Sequence, residues 1–201
     1  MIKSQLIDTA FFTDKYDEWD PHEGPFKINN KNYKVVEMKQ IHSGLIYNVN
    51  PIKRKYVCDG LYSSKKRYIL SVKTADCIPI LIHSKKGVGV IHAGWRGLSK
   101  NILSNFFENP RYFERDMKVS IGPHARRCCY EVGEDLKKIF PAYTKRNKNK
   151  YYLDMSKYVT DYLKELKLEF EDVNVCTICD ENYHSYRETK TKKRQYSFLC
   201  L

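Results

Sequence analysis

The middle of the chain alternates short apolar runs with polar turns. Two runs rich in Ile, Leu and Val, residues 78–82 and 87–91, flank the polar segment 83–86. Apolar runs of this length are too short for buried helices, so they predict the two strands of a hairpin. Cys77 enters the first strand and His92 leaves the second, and the hairpin is therefore expected to bring these two side chains together at one end.

Further strands and helices follow from the same patterns. Strands are predicted at residues 6–13, 33–38, 46–49, 68–72, 118–121, 173–176 and 195–199. Leu98, Ile102 and Phe106 recur every four residues, which predicts a helix ending near residue 109. Helices are also predicted over residues 134–140 and 155–166. Pro79 cannot donate to a sheet ladder, so its strand is expected to begin at an edge or a bulge.

These elements predict the α+β class, with mixed β-sheets flanked by helices in a single domain over residues 1–201. The 201 residues suffice for a substantial core. No apolar run approaches the ~18 residues of a membrane span. The first eight residues do not resemble a signal peptide, and we expect a cytoplasmic protein, either a monomer or a weak dimer.

The chain carries a net charge of +12 and seven cysteines. Without an export signal, the cysteines predict reduced thiols and a possible metal site. The positive charge is compatible with an anionic ligand or with nucleic acid. The basic clusters at 65–67, 145–150 and 190–194 are dispersed, however, and no RNA-binding signature accompanies them. Solvated loops are the simpler interpretation, so nucleic acid is not the expected partner.

His42 adds a third candidate to Cys77 and His92. A lone cysteine or histidine near a strand is usually structural. Two imidazoles and a thiolate together form a suitable ligand set for zinc, with the fourth position left for water or substrate. The spacing of these residues is not that of a zinc finger, so spacing alone supports the metal site only weakly.

Six short motifs resemble those of one protein family in order and approximate interval. They are Lys39-Gln40-Ile41-His42-Ser43-Gly44, Thr74-Ala75-Asp76-Cys77-Ile78-Pro79, His92-Ala93-Gly94-Trp95-Arg96-Gly97-Leu98, Ile121-Gly122-Pro123, Tyr130-Glu131-Val132-Gly133 and Ser185-Tyr186-Arg187. The chain resembles the bacterial purine nucleoside phosphorylases once called multicopper polyphenol oxidases or laccase-domain proteins, a family that also includes a peptidoglycan editing factor. The resemblance spans about residues 33–200. It implies two packed sheets and a zinc ion bound by His42, Cys77 and His92.

The chain departs from the family pattern at two places. A short polar passage, residues 14–32, replaces the glycine-rich segment and loop that usually precede the first motif. Glu188 stands where the family has a second arginine after Arg187. Substitution of a carboxylate for a cation weakens a phosphate-binding role for this part of the chain.

The resemblance implies a zinc-dependent purine nucleoside phosphorylase that acts on adenosine, inosine, guanosine and methylthioadenosine, with adenosine deaminase activity. Zinc lowers the pKa of bound water to near 7, which suits deamination at C6. Phosphorolysis also requires cations for the phosphate, for which Arg96 and Arg187 are candidates. Asp76 is a candidate proton carrier or support for Cys77. Glu131 is a candidate substrate-binding residue. The residues alone support only metal-assisted hydrolysis or transfer.

Two other classes of function stay open. Cys77 as nucleophile and His92 as base would form a thiol amide hydrolase, resembling bacterial deamidating toxins and suited to editing of peptidoglycan precursors. Such an enzyme does not need His42, whereas a metal site does. A basic nucleic-acid-binding module has only charge in its favour. Copper is suggested by the family name alone, and laccase chemistry requires several coppers.

Four further cysteines form two short motifs. Cys176 and Cys179 form an isolated C-x-x-C, which is weak support for a metal or redox site. Cys128 and Cys129 are adjacent in sequence, and adjacent cysteines chelate one ion poorly. No partner pair is close to them along the chain, so core or surface thiols are the expected interpretation.

Overall fold

The structure, a computed structural model, describes residues 1–19, the main chain of 26–28, and residues 31–49 and 56–201. The strands of these residues are β1 (Ile2–Lys3), β2 (Ala10–Phe12), β3 (Phe26–Ile28), β4 (Lys31–Val36), β5 (Met38–Lys39), β6 (Ile46–Asn48), β7 (Tyr56–Val57), β8 (Gly60–Ser63), β9 (Tyr68–Thr74), β10 (Ile78–His83), β11 (Val88–Ala93), β12 (Lys118–Ile121), β13 (Glu131–Val132), β14 (Thr144–Asn147), β15 (Lys150–Leu153), β16 (Glu169–Asp172) and β17 (Gln195–Cys200). The helices are α1 (Trp95–Leu98), α2 (Ile102–Phe107), α3 (Glu134–Ile139), α4 (Met155–Glu165) and α5 (Tyr186–Thr189), with a 3-10 turn at Pro141–Tyr143.

Two large mixed sheets carry most of these strands. The first sheet has the order β1-β2-β17-β9-β4-β3, and the second has the order β16-β12-β10-β11-β8-β6. Smaller sheets are formed by β13-β15-β14 and by β5-β7. Most pairs are antiparallel, whereas β4 with β9, β6 with β8, β12 with β16, and β5 with β7 are parallel. The sheets are thus mixed, as predicted.

The second sheet is the middle layer of the molecule. Along β10, Ile80 and Ile82 join a core cluster that includes Phe106 of α2 and Val159 of α4. Leu81, on the opposite face, joins a second cluster that includes strands of the first sheet. Full burial of each such side chain contributes roughly 2 kcal/mol. Packing on both faces explains why β10 is a continuous apolar run. The predicted fold class, two packed sheets flanked by helices, is confirmed, and the single domain over residues 1–201 stays a prediction.

The predicted hairpin is present, but β10 does not lie at an edge. It pairs with β11 on one side and β12 on the other. Pro79 lies opposite Gly122, just beyond β12, and its carbonyl accepts a hydrogen bond from the Gly122 N–H at 3.0 Å. The Gly122 carbonyl accepts instead from the ring of His124, at 2.8 Å. A central strand therefore tolerates this proline because another donor replaces its missing N–H.

Two other predictions need correction. The helix expected from Leu98 to residue 109 is two short helices, α1 and α2, separated by Asn101 in the left-handed conformation with φ 59°. Leu98, Ile102 and Phe106 are all buried, so the apolar stripe is correct although the helix is not continuous. The strand expected at 173–176 lies four residues earlier, as β16, and Cys176 makes only an isolated bridge to His124.

The helices of the described ranges are short. None of them is long and apolar enough to cross a lipid bilayer.

Candidate active site

The open end of the hairpin brings Cys77 and His92 together. Cys77 directly precedes β10, and His92 lies in β11 opposite Pro79. The Cys77 side chain is half-buried, whereas His92 is 3% exposed. Antiparallel pairing of two short strands is sufficient to produce this proximity, which the apolar pattern predicted.

His42 completes the cluster from a loop after β5. Its Nε2 lies 3.9 Å from the sulfur of Cys77, and its ring centroid lies 4.8 Å from that of His92. One donor atom from each of the three residues falls within 4.8 Å of the other two. His42 has φ 57°, an unusual conformation for a residue with a Cβ. Tertiary structure therefore holds His42 in a conformation that a free loop would rarely adopt.

Asp59 organises this cluster, although sequence analysis gave it no role. Its side chain is fully buried in the loop between β7 and β8. The His92 Nδ1–H donates to Asp59 Oδ1 at 2.8 Å, and the backbone N–H of His42 donates to the same oxygen at 3.0 Å. The other oxygen accepts from the Ser43 hydroxyl at 2.7 Å. One carboxylate therefore orients the imidazole of His92 and the loop that carries His42.

The pKa values in the cluster reflect these contacts. Burial alone would raise the pKa of Asp59, but hydrogen bonds from His92 and Ser43 outweigh it and lower the pKa to about 2. Burial would also raise the pKa of Cys77, yet His92 and His42 lower it to about 6. For His92, burial is outweighed by Cys77 and Asp59, which raise its pKa to about 9. The cluster thus favours a thiolate at Cys77.

Gly94 leaves the space that this cluster needs. A Cβ at this position would lie 2.7 Å from the sulfur of Cys77 and 3.3 Å from Cδ2 of His42. The first distance is too short for any side chain. The glycine that precedes α1 therefore allows the main chain to pass directly against the sulfur.

The donor set fits a zinc ion. Two imidazoles and a thiolate are offered by His42, His92 and Cys77. Because Nδ1 of His92 is bonded to Asp59, its Nε2 is the nitrogen left to bind the metal. Metal-bound histidines commonly donate their other N–H to a carboxylate in this way. The fit rests on the three ligand types and on the buried Asp59, which satisfies the second nitrogen of His92.

Asp76, next to Cys77, is buried and has both carboxylate oxygens engaged. Oδ1 accepts from the Thr177 hydroxyl at 2.9 Å, and Oδ2 accepts from the backbone N–H of Arg187 at 2.6 Å. Asp76 also has φ 92°, far from the usual regions. The carboxylate connects the hairpin end to the segments around residues 177 and 187, which is the geometry of a positioning residue.

A cavity of about 830 Å³ opens beside the cluster. Its described lining residues are Met38, Lys39, Gln40, His42, Lys73, Thr74, Ala75, Asp76, Cys77, His92, Trp95, Arg96, Tyr130, Tyr186, Arg187, Lys190 and Arg194. Within this set, six side chains are cationic and one, Asp76, is a carboxylate. Lys190 and Arg194 belong to a basic cluster that the sequence pattern assigned to solvated loops. The excess of cations makes the cavity suitable for an anionic group, and its volume suits a small molecule.

Arg96 and Arg187 both line the cavity, as expected for anion-binding candidates. The guanidinium of Arg187 lies 4.9 Å from the ring centroid of Tyr130 and donates to the backbone carbonyl of Glu131 at 2.7 Å. The Glu131 carboxylate accepts from Lys150 at 2.7 Å, and Glu131 is not among the described residues that line the cavity. Glu131 thus supports Arg187 through its main chain.

Of the two departures from the family pattern, the structure describes Glu188 fully and the polar passage only in part. Glu188, in α5, is exposed and is absent from the described residues that line the cavity. Residues 20–25 and 29–30, part of the polar passage 14–32, lie outside the described residues.

Comparison with solved structures shows the fold. A Neisseria meningitidis protein superposes with a TM-score of 0.77 at 24% identity, covering 84% of this chain and 75% of that one. A hypothetical Bacillus licheniformis protein named YfiH superposes with a TM-score of 0.74 at 23% identity, covering 83% and 74%.

Sequence comparison identifies the family. A purine nucleoside phosphorylase of Aquifex aeolicus is 36% identical over 145 residues, which are 71% of this chain and 70% of the relative. A protein of Escherichia coli named purine nucleoside phosphorylase YfiH is 30% identical over 193 residues, 88% of this chain and 77% of the relative. The profile of a family described as multi-copper polyphenol oxidoreductase laccase matches residues 26–201. The resemblance drawn from the six motifs is confirmed, and the chain belongs to the multi-copper polyphenol oxidoreductase laccase family.

Proposed function

We propose that this chain is a purine nucleoside phosphorylase that holds zinc at His42, Cys77 and His92. One observation carries the proposal: three metal-binding side chains meet at the wall of a cation-lined cavity. The names of the relatives from Aquifex aeolicus and Escherichia coli support the same activity. When bound, zinc would supply Lewis acidity at the cavity wall.

The cations of the cavity would bind phosphate. Arg96 and Arg187 present guanidinium groups, which pair with phosphate oxygens through two parallel hydrogen bonds. Lys190 and Arg194 add positive charge around the same space, whereas the ammonium of Lys73 is paired with Glu37 at 3.2 Å. The guanidinium of Arg187 is anchored by the ring of Tyr130 and by the Glu131 carbonyl. These groups would place a phosphate oxygen against the ribose C1′.

Aromatic side chains would hold the purine. Trp95, Tyr130 and Tyr186 line the cavity and offer flat apolar faces for stacking. Burial, with the nearby Cys77, raises the pKa of Tyr130 to about 12, so its hydroxyl is neutral and can donate a hydrogen bond. In phosphorolysis an oxygen of hydrogen phosphate bonds to C1′, the glycosidic bond breaks, and the purine leaves with the electron pair. The purine takes up one proton, which balances the proton that hydrogen phosphate loses. During this reaction Asp76 would keep the end of the hairpin and Arg187 in fixed positions relative to each other.

The proposed substrates are adenosine, inosine, guanosine and methylthioadenosine. Adenosine deamination at C6, with release of ammonia, is proposed as a second reaction in the same cavity. The cytoplasmic location and the monomeric or weakly dimeric state stay predictions.

Elemental analysis combined with phosphate-dependent release of base from adenosine and inosine tests the proposal. His42→Ala, Cys77→Ala and His92→Ala should each abolish turnover and lower the zinc content by one equivalent in folded protein. His184→Ala is the matched control, because this half-buried histidine is not among the described cavity residues. Undiminished phosphorolysis and zinc content in His42→Ala would refute the proposal.

A thiol amide hydrolase is the second candidate, and one observation favours it. The Cys77 thiolate lies beside the imidazole of His92, and the Asp59 carboxylate orients that imidazole from its other side. This is the spatial arrangement of a nucleophilic triad. This enzyme would keep amide hydrolysis in His42→Ala and lose it in Cys77→Ala. Loss of all activity in both variants would exclude this candidate.

A further inference from the structure

A second cluster of metal-binding side chains lies outside the cavity lining. The sulfurs of Cys128, Cys129, Cys176 and Cys179 all fall within 4.8 Å of one another. The Cys179 sulfur lies 2.8 Å from that of Cys129 and 3.4 Å from that of Cys128. Each pair is therefore the partner of the other, and the expectation that no partner pair lies close by is wrong, because the pairs are distant only along the sequence. Cys128 and Cys129 are adjacent, but both sulfurs lie within reach of those of the other pair.

The main chain holds the two pairs together. His124 and Cys176 form a parallel bridge, in which the His124 N–H donates to the Val175 carbonyl and the Thr177 N–H donates to the His124 carbonyl. The first pair lies on the turn that follows this bridge, where the Cys129 N–H donates to the Arg126 carbonyl at 3.0 Å. Backbone hydrogen bonds therefore bring the two pairs of cysteines close together.

The surroundings of the Cys176 sulfur suit a thiolate that binds a metal ion. The backbone N–H of Arg126 donates to it, at 3.5 Å. A hydrogen bond from a backbone N–H favours the thiolate, the form that binds metals. Cys176 is buried, whereas Cys128 and Cys179 are exposed, so a metal can enter from the solvent side.

We propose that Cys128, Cys129, Cys176 and Cys179 bind one zinc ion as a closed four-thiolate site. Four sulfurs at ~2.3 Å from a tetrahedral zinc lie ~3.8 Å apart. The sulfurs of the cluster lie within 4.8 Å of one another, close to this separation, so small side-chain movements would form the tetrahedron. Four protein ligands leave no open position for substrate, which distinguishes this site from the three-ligand cluster at His42, Cys77 and His92.

The four-cysteine site would brace one wall of the cavity. Thr177, next to Cys176, donates to the Asp76 carboxylate at 2.9 Å. Tyr130, next to Cys129, lines the cavity and contacts the guanidinium of Arg187. A zinc ion that joins the two cysteine pairs would therefore fix the positions of Thr177 and Tyr130 against each other. Its role is structural, and it does not depend on the proposed activity.

Metal stoichiometry tests the site directly. The full chain is purified under reducing conditions, loaded with zinc, freed of excess metal and measured by elemental analysis. We expect two zinc equivalents in the unaltered chain, one in Cys179→Ser, one in Cys77→Ser and none in the double variant. The Cys77→Ser variant is the matched control, since it removes one thiol from the other cluster. Equal zinc content in the unaltered chain and in Cys179→Ser would overturn the proposal.

Cobalt gives an independent readout in the Cys77→Ser background. Cobalt(II) should produce the intense thiolate charge-transfer absorption of a tetrahedral sulfur site, and Cys128→Ser should abolish it. A zinc chelator should lower the melting temperature of Cys77→Ser but leave that of Cys77→Ser with Cys179→Ser unchanged. The proposal would also be overturned by a different result: the four cysteines form a disulfide, and the chain takes up neither zinc nor cobalt after that disulfide is reduced.

Discussion

Asp59 and His92 form a buried pair with 2.8 Å between Oδ1 and Nδ1. The same residues are also joined through the main chain, because the His92 N–H donates to the Asp59 carbonyl at 2.7 Å. The imidazole is thus fixed in one tautomer and one orientation. Since Asp59 also accepts from the loop of His42, it controls two of the three candidate zinc ligands.

Asp59→Asn should weaken zinc binding at this cluster by about tenfold to a hundredfold, the usual effect of removing such a support. The amide can accept from His92 but cannot also accept from both donors of Ser43. Competition with a chromophoric chelator measures the affinity. Asp116→Asn, at an exposed carboxylate, is the control. Unchanged affinity in Asp59→Asn would show that this carboxylate does not orient the ligands.

Gly94→Ala should disrupt the cluster without unfolding the chain. The new methyl group would lie 2.7 Å from the sulfur of Cys77, so the thiol must move. A displacement of this kind can lower turnover by about a hundredfold. Gly133→Ala is the matched control, because its methyl group would meet only the movable carboxylate of Asp135. Equal zinc content and turnover in both variants would contradict the close fit at Gly94.

Cys77 should react with iodoacetamide at unusually low pH in metal-stripped protein. Despite burial, His92 and His42 lower its pKa to about 6, so the thiolate predominates above that pH. Cys128 is an internal control, since partial desolvation of its sulfur and the contact with Cys179 raise its pKa to about 11. Peptide mass spectrometry resolves the two rates across pH, and bound zinc should protect Cys77. A midpoint for Cys77 near the ordinary thiol value of ~8.5 would disprove the thiolate assignment.

Arg187→Met should raise the KM for phosphate more than the KM for the nucleoside. A hydrogen bond to a charged group contributes roughly 1.5–3 kcal/mol, which corresponds to about tenfold or more in affinity. Arg111→Met, at an exposed arginine that is not among the described cavity residues, removes the same charge as a control. If both variants keep the phosphate KM of the unaltered chain, Arg187 does not bind phosphate.

The local pattern determined the elements and one part of the site. Short runs of Ile, Leu and Val specified β10 and β11, because strands buried on both faces need apolar residues at every position. The hairpin then placed Cys77 near His92 without further information. The pattern could not show the break at Asn101, since an apolar stripe is the same in one helix or two.

Contacts between distant segments were decided only by tertiary structure. The motif of His42 indicated its role through family resemblance, but the buried Asp59 that supports it carried no local signal for that role. Likewise, the adjacent cysteines at Cys128 and the C-x-x-C at Cys176 meet because a bridge at His124 joins two loops. Sequence periodicity reports which face of an element is buried. It does not report which loops meet at the ends of those elements, because that depends on how the sheets pack.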